Sequence, residues 1–218
     1  MSLKLKKELI KKPEEKKEEK IVIRTPISLY NFFRRMETYY LKKFATDLQK
    51  SLQKLIKKIW ISSKIIHIST TPNNLNSLLF FLQKDSLCLF TQLQDIICID
   101  RPSKTNRFTL TYVLYSVKYN TNILISVQIS NLDSMPSITK IYQNANWMER
   151  EIWDLFGIYF ILNNDLRRIL TDYGFSGHPL RKDFPLTGFV ELYYDDSSKK
   201  LNYEPVELAQ DSRIWWLN

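Results

Sequence analysis

Glycine is missing from the first 156 residues of this 218-residue chain, and all four glycines, Gly157, Gly174, Gly177 and Gly188, fall between 157 and 188. Glycine takes positive φ and lets backbones approach closely at no steric cost. A chain that reserves it for one stretch concentrates its abrupt stops there. Everything before must be made of helices, strands and turns that ordinary residues can form.

Those elements are readable from periodicity. From Ser28 to Trp60, apolar residues recur with helical spacing at Leu29, Phe32, Phe33, Met36, Tyr40, Phe44, Leu48, Leu52, Leu55, Ile56 and Ile59, with Lys and Arg on the other face. Two readings stay open for this basic amphipathic helix over 28–60. It packs on a sheet of its own domain, or it lies on a membrane surface or a partner. KIIHIST (64–70) predicts a strand, and PNNLNSLLFFLQK (72–84) a short helix with Pro72 near its start. Residues 87–99 are apolar strand material. FTLTYVLYSVKY (108–119) and TNILISVQIS (121–130) read as a hairpin turning at Asn120 and Thr121. The fold class is α+β over 61–188: a mostly antiparallel or mixed sheet with helices on one face, followed by short helices. Residues 189–218 lack a long core period and predict an extended, partner-binding C-terminal arm.

The charge is uneven. Residues 1–64 hold 18 Lys/Arg against 7 Asp/Glu, whereas residues 65–218 hold 14 against 16. The basic balance therefore describes the N-terminal part, with 1–27 a charged, flexible extension, and weakens the argument for a nucleic-acid-binding face on the domain. No apolar run is long enough to span a membrane. Cys88 and Cys98 sit in apolar runs and read as buried free thiols, with a disulfide or redox role as the alternative. With His67 and His178 they make no metal-ligand spacing. The mixed-charge run at 4–20 lacks the pattern of a transit peptide or a secretory signal. Only three alanines occur among many Lys, Asn, Ile and Phe. An AT-rich genome accounts for that, and organelle genomes are one such source; if the protein works in an organelle, the sequence suggests it was made there.

In the glycine-bearing region, Asn146 and Glu149 have capping-box spacing. Met148, Ile152, Leu155, Phe156 and Tyr159 form an apolar stripe, Arg150 and Asp154 are an i, i+4 pair, and Gly157 fits the helix end. Trp147 and Trp153 lie off the stripe and suggest a second packed surface. LRRILTDYG predicts another short helix, with Leu166, Ile169, Leu170 and Tyr173 on one face and Gly174 as its stop. In GHPLRKDFP, Pro179 and Pro185 predict extended backbone that presents His178, Arg181, Lys182 and Asp183. Glu149, Glu151 and Asp154 are the candidate acid/base group. Helical spacing sets Glu149 and Glu151 on different faces, and Asp154 is more simply an ion-pair partner. His178 beside Arg181 and Lys182 fits an anion site less well than a hydrogen-bonded histidine.

The runs ANWMEREIWDLFGI (145–158), DLRRIL (165–170) and GFSGHPLRKDFPLTG (174–188) closely resemble the 30-kilodalton subunit family of respiratory complex I. DIICID (95–100) and RFTLTYVLYSV (107–117) fit it more loosely. Many relatives have His-Pro where this chain has Asn163 and Asn164. The resemblance implies a non-catalytic core subunit in the peripheral arm of NADH:ubiquinone oxidoreductase, at the quinone module. It implies no catalytic, metal or cofactor residues in this chain, with flavin and iron–sulfur clusters in partner subunits. The implied partners are the 49-kilodalton subunit and neighbouring iron–sulfur subunits, on the matrix side of the mitochondrial inner membrane. Other subunits would meet the N-terminal extension. It marks Trp147, Glu149, Arg150, Glu151, Asp154, Phe156, Gly157, Asp165, Arg167, Arg168, Gly177, His178, Pro179, Arg181, Lys182, Asp183 and Pro185 as structural or inter-subunit residues. The alternatives are a homologous subunit of an energy-converting hydrogenase or plastid-type dehydrogenase, and, in a different class, a basic nucleic-acid-binding protein.

Overall fold

Strands β4 (Phe108–Ser116) and β5 (Thr121–Ile129) form the expected antiparallel hairpin, and their alternation builds the core. Their register places Phe108, Leu110, Tyr112 and Leu114 on one face with Ile123, Ile125, Val127 and Ile129, none more than 1% exposed. The computed structural model describes residues 27–210, and side chains from 39 onward. The expected flexible extension lies outside the described residues, apart from Ile27, as do the last eight residues of the arm.

The sheet has the order β1-β2-β5-β4-β3, with β1 (Lys58–Ser62), β2 (Ile65–Thr70) and β3 (Gln92–Asp100) completing it. All neighbours are antiparallel except β2 and β5. It is therefore the mixed sheet of an α+β fold. Helix α2 (Leu75–Lys84) follows a short 3-10 turn begun by Pro72 and buries Leu75, Leu78, Leu79 and Leu82 completely. Each such leucine contributes about 1.5–3 kcal/mol relative to exposure. The opposite sheet face stays open: Trp60 stacks on His67 at 5.2 Å, and Ile97 and Ile99 are 44% and 41% exposed.

The chain divides into two units, Met1–Tyr39 and Tyr40–Asn218. Helix α1 (Ile27–Ser51) ends nine residues short of the expected boundary at 60. Within the second unit its Ala45 and Leu48, with Leu52 just beyond, are buried in the core. This portion packs on its own domain, the first of the two readings. Residues 58–62 are strand instead of helix. Ser63 and Lys64 both take positive φ, 50° and 65°, and turn β1 back on β2. Such a turn favours Asn-Gly, and Ser-Lys gives no warning of it.

Beyond β5, β6 (Met135–Pro136) and β7 (Phe160–Ile161) pair in parallel around α3 (Ala145–Phe156). Two further expectations are corrected. Residues 165–173 are irregular, with bends at 169–171 and a turn beginning at Tyr173, not a second helix. The described part of the C-terminal arm is an antiparallel hairpin of β8 (Val190–Asp195) and β9 (Lys200–Pro205), not a single extended run.

Candidate functional site

Helix α3 ends at Gly157, whose φ of 73° is left-handed. A helix leaves its last four carbonyls without intrahelical donors. Here each of them is met. The Gly157 N–H donates to the Trp153 carbonyl at 2.9 Å. His178 Nδ1 donates to the Asp154 carbonyl at 3.0 Å; a carbonyl can only accept, so that nitrogen carries the proton. The Leu180 N–H donates to Leu155 at 3.0 Å, and Arg181 Nε to Phe156 at 2.5 Å. The GHPLR segment is thus a capping device, and its arginine also complements the negative end of the helix dipole. Successive turns, closed by Arg181 N–H to the His178 carbonyl and Phe184 N–H to the Arg181 carbonyl, replace the extended course that the prolines suggested. Both Pro179 and Pro185 are half-buried in them.

The two internal glycines of this device are needed for space as well as conformation. A Cβ on Gly157 would lie 2.5 Å from His178 Nε2 and 2.7 Å from Arg181 Nη2. At Gly177, φ is 110° and a Cβ would lie 2.7 Å from the Phe184 ring. Gly174 and Gly188 have open space around them and share only the positive φ, 75° at each, so conformation accounts for all four glycines and close approach for two.

Asp154 organises the other half. Its buried carboxylate accepts the N–H groups of Ile169, Leu170 and Thr171 at 2.8–3.1 Å, the Thr171 hydroxyl at 2.6 Å and Arg168 Nη1 at 3.0 Å. Burial alone would raise its pKa. The bonds from Thr171, Leu170 and Ile169 outweigh that and bring it down to about 2. Arg168 also donates to the Gly177 carbonyl at 2.9 Å. The expected Arg150–Asp154 pair is absent: Arg150 donates to the Arg167 carbonyl and lies over the Trp147 ring. The same carboxylate explains the missing second helix, because it takes three successive N–H groups that a helix would use.

Glu149 does not close a capping box. The N-cap is Asn144, so the helix starts at Ala145, two residues earlier than that box requires, and Glu149 is fully buried beneath it. Its carboxylate accepts from the Ile138 N–H at 2.8 Å, the Ser137 hydroxyl at 2.8 Å and Asn163 Nδ2 at 2.7 Å. Burial pushes its pKa up against those three bonds. Asn163 therefore holds the buried acid, while Asn164 lines a polar recess of about 330 Å³ with Thr139, Lys140, Gln143 and Asn146. That lining contains no nucleophile paired with a base.

The cap is tied to the sheet by residues that sequence reasoning did not single out. Asp100, at the end of β3, holds Arg107 through two bonds of 2.7 Å and accepts the Lys182 N–H at 2.8 Å. The Arg107 bond, opposed by burial, keeps the Asp100 carboxyl below its ordinary range. Arg107 reaches Asp183 at 2.9 Å. The guanidinium groups of Arg107 and Arg181 lie 5.2 and 5.5 Å from the Phe108 ring, whose edge meets Phe156. The signal was an acid closing one strand and an arginine opening the next. Elsewhere, Trp147 and Glu151 are exposed, and Arg167 pairs with Asp165 at the surface. Both cysteines are free, and burial raises each thiol to about 12. Among the described residues no helix is long and apolar enough to cross a membrane, and no cluster of three or more His, Cys, Asp or Glu is placed to hold a metal.

Residues 68–190, which contain this whole clamp, match the family model described as respiratory-chain NADH dehydrogenase, 30 kDa subunit. The chain belongs to that family. It is 45% identical to NADH-ubiquinone oxidoreductase subunit 9 of Reclinomonas americana over 81% of this chain and 87% of that one. It is 46% identical to the protein of the same name from Acanthamoeba castellanii over 85% and 93%. A bacterial NADH-quinone oxidoreductase subunit, from Rhizobium rhizogenes, is 47% identical over 79% and 86%. The fold also resembles a chain of the membrane-bound sulfane sulfur reductase, an archaeal respiratory membrane complex. The TM-score is 0.58 at 22% identity, over 66% of this chain and 85% of that one. At that identity the likeness concerns the fold alone.

Proposed function

We propose that this chain is a structural core subunit of the mitochondrial proton-pumping NADH:ubiquinone oxidoreductase. It braces the quinone module of the peripheral arm and supports electron transfer from NADH to ubiquinone without carrying it. The observation that carries this reading is where the signature side chains point. His178 and Arg181 cap α3, Asp154 gathers the 168–171 loop, and Asp100 joins the cap to the sheet. A catalytic group must reach a substrate, whereas these groups complete bonds within the chain. Their product is a rigid platform that leaves Trp147, Leu170, Tyr173 and Leu186 exposed, the last two at 95%. Exposed apolar side chains on a rigid base suit subunit contacts.

The 49-kilodalton subunit and neighbouring iron–sulfur subunits are the proposed partners, with flavin and clusters held by partner chains. The N-terminal extension would meet further subunits. The mitochondrial name of a relative supports a mitochondrial location, and the alanine-poor composition fits synthesis in the organelle; the matrix side of the inner membrane is the proposed placement.

Native electrophoresis of solubilised mitochondrial membranes tests the reading, using an antibody to this chain and an in-gel NADH dehydrogenase stain. Co-migration with a large active band is expected, with the 49-kilodalton subunit recovered from the same band. Migration as a small species away from that activity overturns the proposal.

A further inference from the structure

The β8–β9 hairpin has two chemically different faces. Residues directly opposite in an antiparallel pair share a face. The register places Val190 with Pro205, Leu192 with Tyr203, and Tyr194 with Leu201 on one side. The other side holds Glu191 with Glu204, Tyr193 with Asn202, and Asp195 with Lys200. One face is wholly apolar, and all six of its residues are exposed, Leu201 and Tyr203 at 62% and 60%. A lone two-stranded hairpin is marginal in water. This one is rooted by the Val206 N–H on the Phe189 carbonyl and by the Phe189 ring set edge-on to Phe184 at 5.4 Å.

We propose that the apolar face of this hairpin is a docking surface for an apolar strip of a neighbouring protein subunit, bordered by Lys or Arg. The proposal rests on the subunit reading above and adds the face and the chemistry of the partner. Charge selects the occupant. Residues 189–210 carry Glu191, Asp195, Asp196, Glu204 and Glu207 against Lys199 and Lys200. Glu191 faces Glu204 directly, and like charges in that position destabilise a free hairpin. Both point to the face opposite the apolar one, so a basic border relieves them by reaching round the strand edges. An anionic membrane surface would be repelled, since surface-seated amphipathic elements are rich in Lys and Arg. A second copy of the hairpin would double the same acidic charge. Six side chains also fall well short of the roughly 20–30 residues a side of a stable dimer.

Hydroxyl-radical footprinting of the full chain, free and within the assembled complex, tests the assignment. Leu192, Leu201 and Tyr203, at the centre of the contact, are expected to be protected several-fold on assembly, and Tyr193 much less. Lysine-directed cross-linking from Lys199 and Lys200 then identifies the neighbour as a protein subunit. Glu204→Lys supplies a readout of opposite sign. It removes the Glu191–Glu204 repulsion, so a hairpin serving only its own chain is retained in the complex at least as well. A docked hairpin facing a basic border is retained several-fold less. Equal protection of both faces, no protection in a complex that contains the chain, cross-links only to a second copy, or better retention of Glu204→Lys each overturns the proposal. If the unmodified chain is missing from the complex, the subunit reading falls and this one with it.

Discussion

Arg181 lies across the end of α3, donating from Nε to the Phe156 carbonyl at 2.5 Å, where a Cβ on Gly157 would stand 2.7 Å from its Nη2. The glycine and the arginine are one device: the first opens the space that the second fills. Gly157→Ala must therefore take a left-handed conformation, costing about 1–2 kcal/mol, and also push His178 and Arg181 off their carbonyls. A total loss of about 2–4 kcal/mol is expected, within the range of strain combined with lost caps. Urea unfolding of the full chain checks it. An unchanged midpoint would mean that the cap is not formed as described.

Asp154 predicts an acid-sensitive loop. Its folded pKa of about 2 lies below the ordinary carboxylate value, so its contribution is present above about pH 4. That contribution is lost as pH falls from there through about 2. Asp154→Asn turns an acceptor of five donors into a group that presents its own N–H₂ to some of them. A loss of about 2–4 kcal/mol at neutral pH is expected, as for a broken buried network. The variant should also lose much of the wild-type slope in stability between pH 5 and 2, values set around the ordinary pKa of about 3.9. Parallel slopes in denaturant titrations at these pH values would contradict the assignment.

The legible parts of the fold are those fixed by local chemistry. The β4–β5 hairpin follows from uninterrupted alternation, α2 from Pro72 and its leucines, and the end of α3 from Gly157. What was hidden depends on distant partners. DLRRILTDY has helical spacing, but Asp154 claims the N–H groups of Ile169, Leu170 and Thr171 from 15 to 17 positions away. Arg150 and Asp154 have ion-pair spacing, yet Arg168 reaches Asp154 instead. Asp100 and Arg107 look ordinary in sequence until the hairpin turn brings them beside Lys182 and Asp183. The motif blocks named His178 and Arg181, and the three-dimensional arrangement places both over the end of α3.

Glu149 predicts the opposite pH behaviour from Asp154. Burial raises its folded pKa, so the protein gains stability as Glu149 takes up its proton. That advantage is fully present below its ordinary pKa of about 4.3 and is lost as pH rises through the raised value. Glu149→Gln keeps a carbonyl for the Ile138 N–H and removes a buried charge. It is expected to match or exceed wild-type stability above neutral pH. Glu149→Ala leaves the Ile138 N–H and Ser137 hydroxyl unpaired, at a cost of about 1–3 kcal/mol for each group that water cannot reach. Urea midpoints at pH 5 and 8, on either side of neutrality, separate the variants. A glutamine variant as damaged as the alanine one would contradict a buried, uncompensated carboxylate.

The Asp100–Arg107–Asp183 chain predicts unequal partners. Asp100 has a side chain 1% exposed, whereas Asp183 is 59% exposed. Removing Asp183 breaks one solvent-screened bond, so Asp183→Ala should cost under about 1 kcal/mol in the free chain. Asp100→Ala leaves the largely buried Arg107 with only the exposed Asp183 carboxylate and releases the Lys182 N–H, for which about 3–5 kcal/mol is expected. Arg181→Ala should fall between them, because it uncaps Phe156 and removes one cation from the Phe108 ring. Chemical unfolding of the three variants sets this order, and assembly into the respiratory complex provides a second readout. If Asp183→Ala is mild in the free chain yet strongly impairs assembly, its exposed carboxylate also serves an inter-subunit contact. If both readouts are mild, its role ends at Arg107.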